Sequence, residues 1–102
     1  MSSESLQKDE DLAAAGATAP RVKLIDIQAA IESVEYLRAG EGGILTLALV
    51  TMKNGFVVVG KSAPASPENF NKDKGEQFAY EDAVRQLWPL MGFALRDKLA
   101  GA

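Results

Sequence analysis

Two apolar, strand-forming runs occupy the middle of the chain, Ile44–Met52 and Phe56–Ser62, with Lys53-Asn54-Gly55 between them. An Asn-Gly pair between two such runs is the strongest short hairpin signal, because a type I′ turn requires positive φ at both central residues. The pattern therefore predicts a β-hairpin with Asn54-Gly55 as a two-residue loop.

In that register both faces of the hairpin are apolar, since side chains alternate between faces along a strand. One predicted face holds Ile44, Ala48, Val50, Met52, Val57 and Val59. The other holds Leu45, Leu47, Leu49, Phe56 and Val58. A hairpin that covers one core alternates apolar with polar positions instead. We therefore expect the second face to contact another copy of the protein, in a homo-oligomer such as a dimer or tetramer.

Helical spacing precedes the hairpin. An apolar stripe of Leu24, Ile27, Ala30, Ile31 and Val34 predicts a helix from about Leu24 to Ser33, with Asp26 in its first turn. The following stretch, Glu35–Gly43, fits either a continuation of this helix or the start of a strand.

A second helical region follows the hairpin. Ser66 and Pro67 are typical of an N-cap and a first helical position, and Gly75 suggests that a longer helix starts near it. Glu81 and Arg85 form a favourable i, i+4 ion pair on its polar face. Pro89 lacks an N–H, so this helix is expected to bend or restart at Trp88-Pro89. Two adjacent apolar rows run along it, Ala79/Ala83/Leu87 and Tyr80/Val84/Trp88.

These elements predict a small single α+β domain over residues 21–102. Its centre is a β-hairpin sheet, packed by an N-terminal helix and a Pro-broken C-terminal helix pair whose second segment is Leu90–Leu99. Residues 1–20 are small, polar and acidic, and Gly16 and Pro20 deny the Ala-rich stretch a stable helix end. They are predicted to form a disordered acidic tail.

The composition narrows the chemistry. The 102 residues include no His and no Cys, which excludes catalytic triads, thiolate nucleophiles, imidazole metal ligands and disulfides. No phosphate-loop glycine pattern is present, and the adjacent carboxylates Glu81 and Asp82 point about 100° apart on a helix. We therefore expect a protein that is not an enzyme and has neither a catalytic residue nor a metal or other cofactor.

The distribution of charge argues against a nucleic-acid partner, and the short apolar runs argue against a membrane partner. The net charge of −3 lies in residues 1–20, where four carboxylates face one lysine, and the rest of the chain is neutral. Phosphate binding needs a cationic surplus, so a nucleic-acid partner is not expected. The longest apolar run is far shorter than the roughly 20 residues of a spanning helix, and no basic, apolar leader is visible. A cytoplasmic protein is expected.

Specific residues carry a family resemblance. They include Lys53-Asn54-Gly55-Phe56, Ser66-Pro67-Glu68-Asn69-Phe70, Gly75, Ala79, Ala83 and Trp88-Pro89-Leu90-Met91-Gly92-Phe93. The chain resembles, over roughly residues 21–99, a family of small tailed-phage and prophage proteins known by the numbered gene products forty-nine and sixty-six of two podophages. The resemblance implies a phage origin, an α+β body and location in the cytoplasm of a bacterial host, and it implies no activity.

Several residues are singled out as candidates. A structural role is predicted for Asn54, Gly55, Phe56, Trp88 and Pro89, in the turn and the core. Ligand contacts are considered at Tyr80, Arg85, Lys72, Lys74 and Asn69. The favoured interpretation is a core position for Tyr80, an ion pair with Glu81 for Arg85, and a solvated surface for the two lysines.

The leading hypothesis is a non-enzymatic, homo-oligomeric phage accessory protein that binds a host factor, for host takeover or counter-defence. It would mask a host protein or sequester a nucleotide-like signal between subunits. The alternative is a minor virion or phage-assembly structural protein, which apolar self-association fits as well.

Overall fold

The computed structural model describes residues 3–101, which form three α-helices and one antiparallel sheet of three strands. This architecture confirms the α+β class. In chain order the elements are α1 (Glu4–Ala14), α2 (Leu24–Ala30), β1 (Ile31–Ala39), β2 (Leu45–Met52), β3 (Val57–Ser62) and α3 (Lys72–Leu99). Short 3₁₀ turns occupy Glu41–Gly43 and Pro67–Asn69.

The ambiguous segment before the hairpin is a strand. The predicted helix ends at Ala30, three residues early, because Ile31 adopts an extended conformation and β1 starts there. β1 pairs antiparallel with β2, with Tyr36 opposite Ala48, and gives the hairpin a third strand. The strand order is β1-β2-β3, so β2 is central.

The hairpin loop has three residues, and the predicted two-residue loop is wrong. Only Gly55 has a positive φ, of 90°, whereas a type I′ turn would also require one at Asn54. The Gly55 N–H donates to the Met52 carbonyl at 2.8 Å, and the Met52 N–H donates to the Phe56 carbonyl at 2.8 Å. This is the type I turn followed by a left-handed glycine that three-residue loops favour. The Asn54 side-chain oxygen accepts from the Phe56 N–H at 2.9 Å.

The one-residue change exchanges the two faces of β3, as the period of two requires. Val50 lies opposite Val58, and Leu49 lies opposite Val59. The inner face of the sheet, which α3 covers, therefore carries Thr46, Ala48, Val50, Met52, Val58 and Gly60. The outer face carries Leu37, Leu45, Leu47, Leu49, Val57 and Val59. Val58 was predicted on the wrong side, and so were Val57 and Val59.

Small residues let α3 approach the inner face closely. A Cβ added at Gly60 would lie 1.9 Å from the Ala79 carbonyl oxygen and 2.9 Å from the Ala83 Cβ. Ala48, Ala79 and Ala83 are fully buried at this crossing. Larger side chains at these positions would hold the helix away from the sheet.

The C-terminal region is one helix of 28 residues, so the predicted Pro-broken pair is wrong. Pro89 and Arg85 both lie on the exposed side of α3. The Arg85 carbonyl, which loses its helical donor at Pro89, can therefore accept from water and the helix continues. α3 also begins earlier than predicted, at Lys72, because the Asn71 side chain caps it by accepting from the Lys74 N–H at 3.0 Å.

The N-terminal segment is not the disordered tail that its composition predicts. α1 is capped by Ser3, whose hydroxyl accepts from the Leu6 N–H at 3.1 Å. Leu6 is fully buried in the same core as Ile27, Val84 and Leu87. The single leucine anchor, which local composition did not reveal, holds this helix on the domain.

Candidate functional site

The outer face of the sheet is an apolar surface that the helices leave uncovered. Leu37, Val57 and Val59 are 44–46% exposed, and the three leucines of β2 on this face are partly buried by their neighbours. Contiguous apolar patches of this kind mark interaction surfaces. Two opposite charges border it, because Glu35 shares the face on β1 and Lys61 shares it on β3.

The β3 edge of the sheet is closed by side chains of α3. The Lys61 N–H donates to the Asp82 carboxylate at 2.9 Å. The Val59 carbonyl accepts from the Gln86 amide at 2.8 Å. Since these two backbone groups are bonded within the chain, pairing of β3 with a strand of another molecule would break existing hydrogen bonds.

A small cleft lies between the end of β3 and the start of α3. Its volume is about 150 Å³, and its lining includes Asn69, Phe70 and Lys74. The Arg38 guanidinium stacks on the Phe70 ring, 4.0 Å from its centroid, in a cation–π contact. Two of the predicted ligand-binding residues, Asn69 and Lys74, thus line one cleft together with the Phe70 ring. This arrangement suits a phosphate-sized anion.

Tyr80 lies elsewhere. It is 5% exposed and, with Tyr36, lines a separate, more open cleft of about 750 Å³ that α1 borders through Ser3, Glu4 and Gln7. Burial raises the pKa of both phenols, so each stays neutral over a wider pH range. The tyrosines therefore supply hydroxyl groups rather than charge to this cleft.

Arg85 does not form the predicted ion pair with Glu81. Its Nε donates to the Asp9 carboxylate of α1 at 2.8 Å, and its Nη2 donates to the Ser5 hydroxyl oxygen. Glu81 is only 2% exposed, and its carboxylate accepts from the Ser3 hydroxyl and from the Gln77 amide. The i, i+4 spacing predicted an ion pair between Glu81 and Arg85. In the structure each of these residues is instead hydrogen-bonded to a side chain at the N-terminal end of the chain: Glu81 to Ser3, and Arg85 to Asp9.

The remaining candidates have separate positions. Lys72 is exposed in the first turn of α3 and does not line the small cleft, while Pro89 is exposed on the same helix. The Trp88 indole packs against the core and donates to the Val22 carbonyl at 2.9 Å. Phe56 is 54% exposed and lines an apolar groove of about 530 Å³ with Met52, Leu87, Leu90 and Met91.

Three features of these surfaces escaped the sequence analysis. One is the placement of Glu35 and Lys61 on the outer face, which a correct register would have revealed. Another is the Arg38–Phe70 stack, which joins residues from β1 and from the loop before α3. The last is the docking of α1, for which the Ser3 N-cap was the available signal.

The family model for the phage protein family of N4 Gp49 and phage Sf6 gene 66 matches residues 22–99 of this chain. The match spans α2, the whole sheet and α3. This chain belongs to that family. The resemblance inferred from the turn, the Ser-Pro segment and the Trp-Pro segment is thereby confirmed.

The part of the chain common to the Gp49/gene 66 family carries the outer face and the small cleft, whereas α1 precedes it. Comparisons with curated proteins and with solved structures gave no match. Among residues 3–101, no helix combines the length and apolar character that crossing a membrane requires.

Proposed function

We propose that this phage-family chain is a non-enzymatic, self-associating accessory protein that binds a host factor in the host cytoplasm, for host takeover or counter-defence. The observation that carries the proposal is the uncovered outer face of the sheet. A two-layer domain buries each apolar face against another layer. α3 provides that layer for the inner face only, and a second copy would provide it for the outer face.

Charge placement favours a second copy as the occupant of this face. A two-fold axis parallel to β2 would place β1 of one copy over β3 of the other. In the observed register, Glu35 lies opposite Leu49 and Lys61 lies opposite Leu47, so their heights along the sheet differ by two residues, about 7 Å. A lysine side chain spans that distance. The axis would thus form two Glu35–Lys61 pairs at the rim of an apolar contact.

The face is a better candidate for self-association than the β3 edge. Asp82 and Gln86 already bond the backbone of β3, so pairing there would break existing hydrogen bonds. Packing of two sheets about 10 Å apart through their side chains requires no such loss. The expected assembly is a sandwich of two sheets with α3 on each outside surface.

The proposed assembly is tested by sedimentation and light scattering at tens of micromolar. The wild-type chain is expected to be a dimer or tetramer, and Leu47→Glu, in the centre of the outer face, is expected to be monomeric. The matched control is Phe93→Glu, because Phe93 is 71% exposed on α3 away from this face. Circular dichroism verifies that both variants fold.

A monomeric wild-type chain, or dissociation by Phe93→Glu alone, would remove the basis of the proposal. The charge pairs supply a finer test. Glu35→Lys or Lys61→Glu alone is expected to weaken association, and the double variant is expected to restore it, because only an intermolecular pair can be rebuilt by exchanging its charges.

The target we favour is a host protein, which the oligomer would mask. The small cleft, which holds the candidates Asn69 and Lys74, has a volume of only about 150 Å³, whereas small-molecule sites usually enclose about 300–1,000 Å³. The cleft beside α1 is large enough, at about 750 Å³, but no lysine or arginine among the described residues lines it to bind a phosphate. The test is capture from a host lysate followed by reconstitution with the purified host protein, which should bind at fixed stoichiometry.

A nucleotide-like signal is the second candidate, and the position of Asn69 and Lys74 in one cleft with the Phe70 ring favours it. The cleft would hold a phosphate group, and a neighbouring subunit would contact the rest of the ligand. A thermal-shift screen with nucleotides is expected to respond to Lys74→Ala and not to Lys72→Ala, since Lys72 lies outside the cleft. Recovery of the chain at stoichiometric copy number in purified virions would support the structural alternative instead.

A further inference from the structure

α1 occupies a groove formed by parts of the chain that match the family and by Arg21, which directly precedes them. The family match begins at Val22, so α1 and the segment that joins it to α2 both precede the matched part. The joining segment from Ala15 to Pro20 is exposed and consists of small residues and one proline. The helix is thus attached to the domain by its own contacts and by a tether with little packing of its own.

One apolar side chain anchors α1 in the groove. Leu6 is fully buried among core residues of α2 and α3. The other leucine of the helix, Leu12, is 79% exposed. The groove therefore selects a single leucine rather than an apolar stripe.

Polar groups of the groove recognise the rest of the helix. The buried Glu81 carboxylate accepts from the hydroxyl of Ser3, the N-cap residue. Arg85 donates to the Asp9 carboxylate at 2.8 Å. Arg21 donates to Glu10, whose second oxygen accepts from the Leu24 N–H at 2.8 Å.

These contacts define a pattern of Ser-x-x-Leu-x-x-Asp-Glu, in which every specified residue meets its own group in the groove. α1 is acidic, with four carboxylates counting Asp11 and one lysine, and the two arginines at the rim complement that charge. Hydrogen bonding to Arg21 lowers the pKa of the Glu10 carboxyl, which agrees with this complementarity.

We propose that this groove is a docking site for an acidic helix of a partner protein, with one leucine anchor and a serine N-cap, and that α1 is the internal occupant that keeps it closed. The tether gives α1 an effective concentration in the millimolar range. A partner helix must therefore contact additional surface to displace it, and the cleft beside α1, with Tyr36 and Tyr80, offers that surface. The proposal is independent of self-association through the outer face.

The test opens the groove in the full-length chain. Leu6→Asp places a charge in the buried position and is expected to release α1, whereas Leu12→Asp is the matched control because Leu12 is exposed. The probe is a fluorescent, N-acetylated peptide of residues 3–15, followed by anisotropy. It is expected to bind the Leu6→Asp chain and to bind the wild-type and Leu12→Asp chains at least about tenfold more weakly. The same peptide with Leu6→Asp should not bind.

Peptide binding that is absent from a folded Leu6→Asp chain, or equal for the open and wild-type chains, would refute the proposal. Far-UV circular dichroism and Trp88 fluorescence report whether the variant folds. If it does not, amide exchange of the wild-type chain decides. The amides of α1 are expected to exchange about 100-fold faster than those of residues 79–87, because α1 opens on its own. Equal rates would make α1 a part of the cooperative core and end the proposal.

Discussion

The inner and outer faces of one sheet are both apolar, yet the protein buries only one of them under its own helix. The inner face has small residues, Ala48 and Gly60, where α3 crosses, and the outer face has leucines and valines on all three strands, bordered by Glu35 and Lys61. A helix can approach backbone closely only where side chains are short. The difference shows that steric access, and not apolar character, selects which face α3 covers.

The largest expected effect on stability is at Gly60, where α3 crosses the inner face of the sheet. Gly60→Ala should destabilise the domain by about 3 kcal/mol or more, because its Cβ would overlap the Ala79 carbonyl and α3 would have to move. Gly92→Ala in α3 is the control: nothing lies within 4 Å of its added Cβ, so the substitution should stabilise the helix by about 1 kcal/mol. Urea denaturation measures both. Similar effects at the two glycines would mean that α3 does not pack on Gly60.

A neighbouring pair of valines compares the two faces directly. Val58→Ala should cost about 2 kcal/mol, since Val58 is 6% exposed, whereas Val59→Ala should cost less than about 1 kcal/mol, since Val59 is 46% exposed. The measurement is the free energy of unfolding in the monomeric Leu47→Glu background. If Val59→Ala cost more stability than Val58→Ala, the register of the two-residue loop would be correct instead.

The turn that sets this register is expected to have a smaller effect. Gly55→Ala should cost about 1–2 kcal/mol, because an alanine is strained at the φ of 90°. Lys53→Ala, at a position in the same loop with negative φ, should change the stability by less than about 0.5 kcal/mol. Thermal unfolding of the two variants measures the contrast. Equal shifts in melting temperature for the two variants would mean that Gly55 does not adopt the left-handed conformation.

The smallest expected effect is a loss of folding stability at alkaline pH, caused by two tyrosines on the inner side of the sheet. Tyr36 and Tyr80 have pKa values raised above the usual 10.0 by burial. Because the folded pKa is the higher one, their contribution to stability is complete below pH 10 and falls as the pH rises through the folded pKa. Phenolate absorbance should titrate above pH 10, and Tyr80→Phe should flatten the alkaline fall in stability. Titration at or below pH 10 would contradict their burial.

Prediction from the sequence succeeded where one local signal had one structural meaning. The stripe from Leu24 gave α2, the two apolar runs gave β2 and β3, and the residues around Asn54-Gly55 and Trp88-Pro89 gave the family. It failed where the outcome depended on how a segment lies in the folded domain. Pro89 continues α3 because Arg85 faces water, and the N-terminal segment is ordered because Leu6 finds the core.

The candidate surfaces divide in the same way. The sequence predicted a hairpin with a second apolar face, and it named Asn69 and Lys74, which share the small cleft. It could not place Tyr80 in a different cleft or assign Arg85 to Asp9, because both outcomes depend on the position of α1. Nor could it place Glu35 and Lys61 on one face, since that required the register.

The sequence by itself determined the class of the protein: an α+β phage-family chain whose strands are too apolar for one face to remain in water at no cost. The tertiary structure decided which valines are buried, how far α3 runs and what α1 contacts. The physical reason is that strand and helix propensities act between near neighbours. The choice between two registers that differ by one residue depends instead on whether Gly60 or a larger residue meets α3.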